Sequence, residues 1–152
     1  GNNIEDSMGS IRFLVFYIIC GLAAAAAHII VSPASPVPTV GASGAISGVL
    51  GAYLVLYPRV RVRTFIPPIF LINVRAWFML IWWFLWQVIG GLPQLSPVRP
   101  EVSSGVAFWA HIGGFVAGLV LIKLFEDRAI VERRAAVANA RHVWDPRFTD
   151  QH

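Results

Sequence analysis

Gly41-Ala42-Ser43-Gly44-Ala45-Ile46-Ser47-Gly48, with Gly51 three residues on, is the stretch around which the chain is organised. It sets a serine among glycines at the entry to an apolar run, just behind a proline-rich loop. A Gly-x-Ser-Gly string is common in isolation. Its weight comes from its surroundings: a composition suited to a bilayer, and His111 on a later apolar, glycine-rich segment.

Composition selects the solvent first. The chain is 57% hydrophobic and 13% charged, too little charge for a soluble domain of this size. Roughly 20 helical residues cross the hydrocarbon core, and within lipid each backbone group must be paired inside its own segment or a closed barrel. The alternating polarity of barrel strands is missing, so the expectation is an all-α polytopic membrane protein. Cys20 is the single cysteine and lies in an apolar run, which excludes a disulfide framework. The chain starts at Gly1 without an initiator methionine or signal peptide, so a fragment or a processed chain is expected.

Working outward, the serine stretch opens a span expected over residues 40–57 and closed by Pro58. Before it, a first span is expected over 13–31, ending at Ser32-Pro33, with small residues Cys20, Gly21 and Ala23 to Ala27 suited to close helix contact. His28, near its far end, reads as a packed or interfacial histidine. Residues 32–40 carry three prolines, which no helix tolerates. Arg59, Arg61 and Arg63 alternate with Val60 and Val62, the period of an extended or interfacial segment. A third span is expected over 76–92, short and rich in tryptophan (Trp77, Trp82, Trp83, Trp86), with Gln87 its only strongly polar residue. After a loop at 93–104, a fourth span is expected over 105–125. Residues 126–152 read as a charged cytoplasmic C-terminal tail, helical to about residue 141.

The basic residues orient these spans. With a cytoplasmic N-terminus, Arg12, Arg59, Arg61, Arg63, Arg75, Lys123, Arg128, Arg133, Arg134, Arg141 and Arg147 lie inside or at inner helix ends, and only Arg99 lies outside. That asymmetry is the positive-inside signal. It also excludes nucleic acid as a partner despite the net charge of +4, because these arginines flank spans and have no aromatic interleaving. Ser43 and His111 then fall at the outer ends of their helices, at similar depth.

A serine hydroxyl needs a base to become a nucleophile, and histidine is the usual one. The spans contain no Asp or Glu, so a Ser43–His111 dyad, without a third carboxylate, is the available form. An ionisable group inside a membrane is costly and marks function by default. His111, Gly114 and Gly118 share one helical face, as do Gly44, Gly48 and Gly51. Each face carries a Gly-xxx-Gly step that lets backbones approach closely. Ordinary helix packing, with Ser43 bonded only to its own backbone, is the better account of the glycines at this stage. Ser47 is a rival nucleophile, placed deeper and farther from water.

Three motifs in register overturn the packing account. Gly1-Asn2-Asn3-Ile4-Glu5-Asp6 with Gly9, then Gly41-Ala42-Ser43-Gly44 with Gly48 and Gly51, then Ala110-His111-Ile112-Gly113-Gly114 with Gly118 resemble the C-terminal portion of a bacterial rhomboid intramembrane serine protease, over about residues 1–125. The resemblance implies that residues 1–125 are four helices of a six-helix core, that Ser43 is the nucleophile and His111 the general base, and that the reaction needs no cofactor or metal. It implies transmembrane protein substrates within the lipid bilayer, cleaved near the outer membrane face, in a bacterial inner membrane. The 76–92 span matches the helix proposed as a lateral substrate gate.

Two departures from the family pattern stand out. The first two helices and their His-xxx-Asn step, part of the oxyanion hole, lie upstream of Gly1, so this chain alone is expected to be an incomplete, inactive fragment. Oxyanion donors are worth about 10² to 10³ in rate, and here the Ser43 amide is the one such donor. Where many members place an aromatic residue one turn after the serine, to stack on the histidine, this chain has Ser47, so a less constrained His111 is expected. The alternative function is a catalytically inactive rhomboid-like protein that binds transmembrane clients. A transporter or channel is excluded by the lack of polar residues along a path through the spans.

Overall fold

The structure is a computed structural model and describes residues 2–33, 41–66, 69–95 and 107–130, together with 132, 133 and 136. Within them the order is α1 (Asn2–Met8), α2 (Ser10–Val31), α3 (Gly41–Leu56), β1 (Arg61–Ile66), β2 (Ile69–Arg75), α4 (Ala76–Gly91), a 3-10 turn (Leu92–Leu95) and α5 (Phe108–Phe125). The expected start of the fourth span at residue 105, the loop prolines at 34–40 and the tail beyond residue 136 lie outside the described residues.

Local chemistry sets the boundaries. Gly9 breaks α1 from α2 with φ 83°, a conformation that favours glycine, while its amide donates to the Glu5 carbonyl at 2.7 Å. α2 ends where Ser32 meets Pro33, since the residue before proline is pushed out of the helical region. Among the described residues two helices, α2 with 22 residues and α5 with 18, are long and apolar enough to cross a bilayer. α3 and α4 are apolar but have 16 residues each, about 24 Å of helix against a hydrocarbon core of about 30 Å.

The all-α expectation needs one amendment. β1 and β2 form an antiparallel hairpin in the register Arg61↔Arg75 and Arg63↔Asn73, with an irregularity between Phe65 and Ile66. The alternation at 59–63 anticipated extended backbone; the returning strand, an unbroken apolar run from Ile69 to Ile72, carries no such signature. Pro58 and Val60 carbonyls accept from the Trp77 and Ala76 amides, which ties the hairpin to the start of α4.

The bundle core has two characters. At one end, Ile4, Met8, Phe16, Val49, Ala52 and Ile122 pack as an apolar cluster, with Phe16 edge-on to Phe125 at 5.6 Å. The Asp127 amide donates to the Ser7 carbonyl at 2.9 Å and so joins the end of α5 to α1. Along α3 and α5, on into the same region, helices meet through small residues. A Cβ on Gly48 would lie 2.6 Å from the Cys20 sulfur and 3.1 Å from the Gly114 carbonyl oxygen. One on Gly114 would lie 2.8 Å from the Gly44 carbonyl carbon, and one on Gly118 would overlap the Gly48 carbonyl. Gly51 meets the Leu119 amide nitrogen at 3.0 Å by the same measure. α3 and α5 therefore run parallel with backbones in direct contact, which dispersion between closely matched surfaces can hold without a hydrophobic drive in lipid. Gly113 faces the other way, against Ala23 and Ala27 of α2. Gly41 has room: its nearest neighbour would be the Gly21 carbonyl oxygen at 3.8 Å.

Candidate active site

Ser43 is the third residue of α3 and its side chain is exposed. First-turn amides of a helix point out of its N-terminal end instead of into the hydrogen-bond ladder, where the helix dipole favours negative charge. That end of α3 is held from two sides. The Tyr17 hydroxyl donates to the Ala42 carbonyl at 3.2 Å, and a Cβ on Gly44 would lie 3.3 Å from the Ala110 carbonyl oxygen. The backbone beside Ser43 thus touches the backbone beside His111.

His111 is the fourth residue of α5 and is half-buried. Its amide donates to the Ala107 carbonyl at 3.2 Å. Its ring is engaged from α4 at two points. Nδ1 lies 2.9 Å from Oε1 of Gln87, and the Trp83 ring packs at a centroid distance of 5.9 Å, tilted by 40°. Trp83 also contacts Phe115 at 6.0 Å, and Phe84 stacks on Phe115 at 4.7 Å. The Trp109 indole donates to the Gly91 carbonyl at 3.2 Å. Trp83, Gln87 and Gly91 recur every fourth residue, so one stripe of α4 carries the contacts to the start of α5.

This overturns the expectation of a loosely constrained His111. The position one turn after Ser43 is not aromatic, but an aromatic ring arrives from another helix. Ser47, the rival nucleophile, is 1% exposed, and its hydroxyl donates to the Ser43 carbonyl at 2.8 Å. A hydroxyl spent on the carbonyl four residues back, away from water, is a poor nucleophile. His28 is buried, and neither ring nitrogen has a hydrogen-bond partner among the described residues.

Sequence reasoning assigned no role to Gln87 or Trp83. A signal for Gln87 was present, since a lone amide in an apolar 16-residue helix must find a partner or carry a desolvation cost. Trp83 had none, because Trp77, Trp82 and Trp86 flank it in the same composition. Among the described residues no group of three or more His, Cys, Asp or Glu is arranged to hold a metal ion.

Helices of this apolarity, joined through glycine-to-backbone contacts, are of the kind found in the class of polytopic helical membrane proteins. Within that class, the family model described as Rhomboid domain matches residues 1–127, and the chain belongs to the rhomboid family, whose members are generally intramembrane serine hydrolases. Neither the curated proteins nor the solved structures gave a match.

Proposed function

We propose that the protein is an intramembrane serine endopeptidase that cleaves transmembrane protein substrates near the outer membrane face, with Ser43 as nucleophile and His111 as general base. The observation that carries this reading is the contact of Gly44 with Ala110, which sets the first turn of α3 beside the first turn of α5. His111 takes the proton from Ser43 Oγ as that oxygen attacks the scissile carbonyl. The oxyanion forms at the N-terminal end of α3, within reach of the Ser43 amide and the helix dipole. His111 then gives its proton to the leaving amine, and a water molecule, activated by the same base, hydrolyses the acyl-enzyme.

The membrane domain extends to about residue 125 and crosses the bilayer four times through α2 to α5, with 126–152 as a cytoplasmic tail in a bacterial inner membrane. Arg59, Arg61, Arg63 and Arg75 around the hairpin support this orientation, as does Lys123 in the last turn of α5. The short length of α3 and α4 fits a locally thinned bilayer. Substrate entry beside α4 is supported by its outward row of apolar side chains, Phe78, Trp82, Leu85 and Ile89, all exposed.

Substrate cleavage by the full-length protein, compared with Ser43→Ala and His111→Ala, tests the dyad. Each variant loses roughly 10³-fold or more in kcat, as removal of a nucleophile or its base does elsewhere. Undiminished cleavage in either variant rules the dyad out. Client capture without cleavage by the unmodified protein would favour the inactive, client-binding alternative.

A further inference from the structure

We propose that Gln87 is a positioning residue for the His111 base, fixing the imidazole tautomer that can accept a proton at Nε2; this rests on the dyad reading above. An amide side chain can present either its oxygen or its NH2 group to an imidazole, with opposite consequences. Here Oε1 of Gln87 faces Nδ1 of His111 at 2.9 Å. In this orientation the oxygen accepts and Nδ1 donates, which is the tautomer the proposal assigns to the ring. The remaining nitrogen, Nε2, then holds a lone pair. Had the NH2 group faced Nδ1, the proton would sit on Nε2, and the ring could not accept one from a serine there.

In serine–histidine–carboxylate triads an acidic residue holds this tautomer, and losing the correct tautomer alone is costly. The four long helices contain no Asp or Glu. A carboxylate at that depth carries a desolvation cost that pairing with the imidazole offsets in part, whereas a neutral amide avoids it while offering the same acceptor geometry. Gln87 is only 7% exposed, so water competes little for its oxygen. Trp83, one turn earlier on the same stripe of α4, packs on the ring and restricts its rotation. The amide and the indole together orient the imidazole from a helix that contributes neither member of the dyad.

A neutral amide does not stabilise the imidazolium as a carboxylate does. The expected effect is therefore a fraction of what general-base catalysis contributes, about 10² to 10⁴. In the full-length protein reconstituted in liposomes, Gln87→Met keeps the length and removes the acceptor, whereas Gln87→Glu keeps an acceptor oxygen. Gln87→Met lowers kcat by roughly 10- to 100-fold with KM within about twofold, and Gln87→Glu stays within a few-fold of wild type. Nitrogen-15 spectra of histidine-labelled protein, with the His111 signals assigned from their loss in His111→Ala, report an Nδ1-protonated ring in the wild type. The Nε2-protonated form appears in Gln87→Met. Wild-type kcat in Gln87→Met overturns the proposal. So does an equal loss in both Gln87 variants with the tautomer unchanged, because that marks a packing role. Failure of the dyad reading is seen separately, as cleavage that survives Ser43→Ala, and the spectra report the Gln87 contact whichever way that falls.

Discussion

The contact between α3 and α5 and the contact between α4 and α5 are built from opposite materials. Where α3 meets α5, Gly51, Gly114 and Gly118 bring backbone onto backbone with no space for even a methyl group, and Gly44 and Gly48, closed off by Ala24 and Cys20 of α2, approach the α5 backbone closely as well. Where α4 meets α5, large rings touch at 4.7 to 6.0 Å centroid separations, and Gln87 to His111 and Trp109 to Gly91 supply the hydrogen bonds. Backbone contact leaves little to adjust, so the first turns of α3 and α5 form a rigid platform. Ring contacts tolerate displacement, and much of the α4 surface is exposed apolar side chain. Ser43, the proposed nucleophile, therefore stands on the stiff interface, while the orientation of His111, its proposed base, depends on the adaptable one. A displacement of α4 large enough to admit a substrate helix would loosen the grip on His111.

Substitutions on the two sides separate these roles. The largest effect is expected from Gly118→Val or Gly51→Val, since neither neighbouring backbone can move aside without parting the helices. A loss of about 3 kcal/mol or more is predicted, at the upper end of overpacking costs, seen as a large fall in Tm and in folded yield. A wild-type Tm in either variant would mean that α3 and α5 are not in backbone contact. Trp83→Ala comes next. It removes an aromatic contact worth about 0.5 to 1.5 kcal/mol beyond its buried area and frees one side of the imidazole, so cleavage falls several-fold while the protein still folds. An unchanged rate would leave Gln87 as sufficient on its own. Ser47→Ala is expected to lie within about 0.5 kcal/mol of wild type and to cleave at the wild-type rate, because the lost hydrogen bond returns to its own helix. Loss of activity there would revive Ser47 as the nucleophile. Smallest is Arg12→Ala: its 3.6 Å ion pair with Asp127 is more than half exposed on the arginine side, and such pairs contribute about 0 to 1 kcal/mol.

Much of this arrangement is legible in the amino-acid sequence, for reasons that differ by element. α2 ends at the turn into Pro33, and α4 ends at Gly91, one residue short of the limit at 92 expected ahead of Pro93, so their limits follow from local rules. The glycine faces of α3 and α5 follow from helical periodicity, because a Gly-xxx-Gly step has little other use in an apolar helix. Gly113 escapes that logic. It neighbours Gly114 in sequence but lies about 100° round the helix, against α2. The hairpin is half legible: polar alternation marks β1, whereas β2 reads as an apolar run that periodicity cannot tell from helix. The stripe of Trp83 and Gln87 is hidden for another reason. Which of four tryptophans faces inward depends on the rotation of α4 about its axis, a tertiary property that no local pattern in this span records.

The central claim is that Ser43 becomes a nucleophile through His111. Covalent labelling of the full-length protein with a fluorophosphonate, followed by mass spectrometry of the modified peptide, tests it most directly. The account predicts an adduct on Ser43 in the wild type and its disappearance in His111→Ala. An adduct on Ser47, or undiminished labelling of Ser43 in His111→Ala, would contradict it.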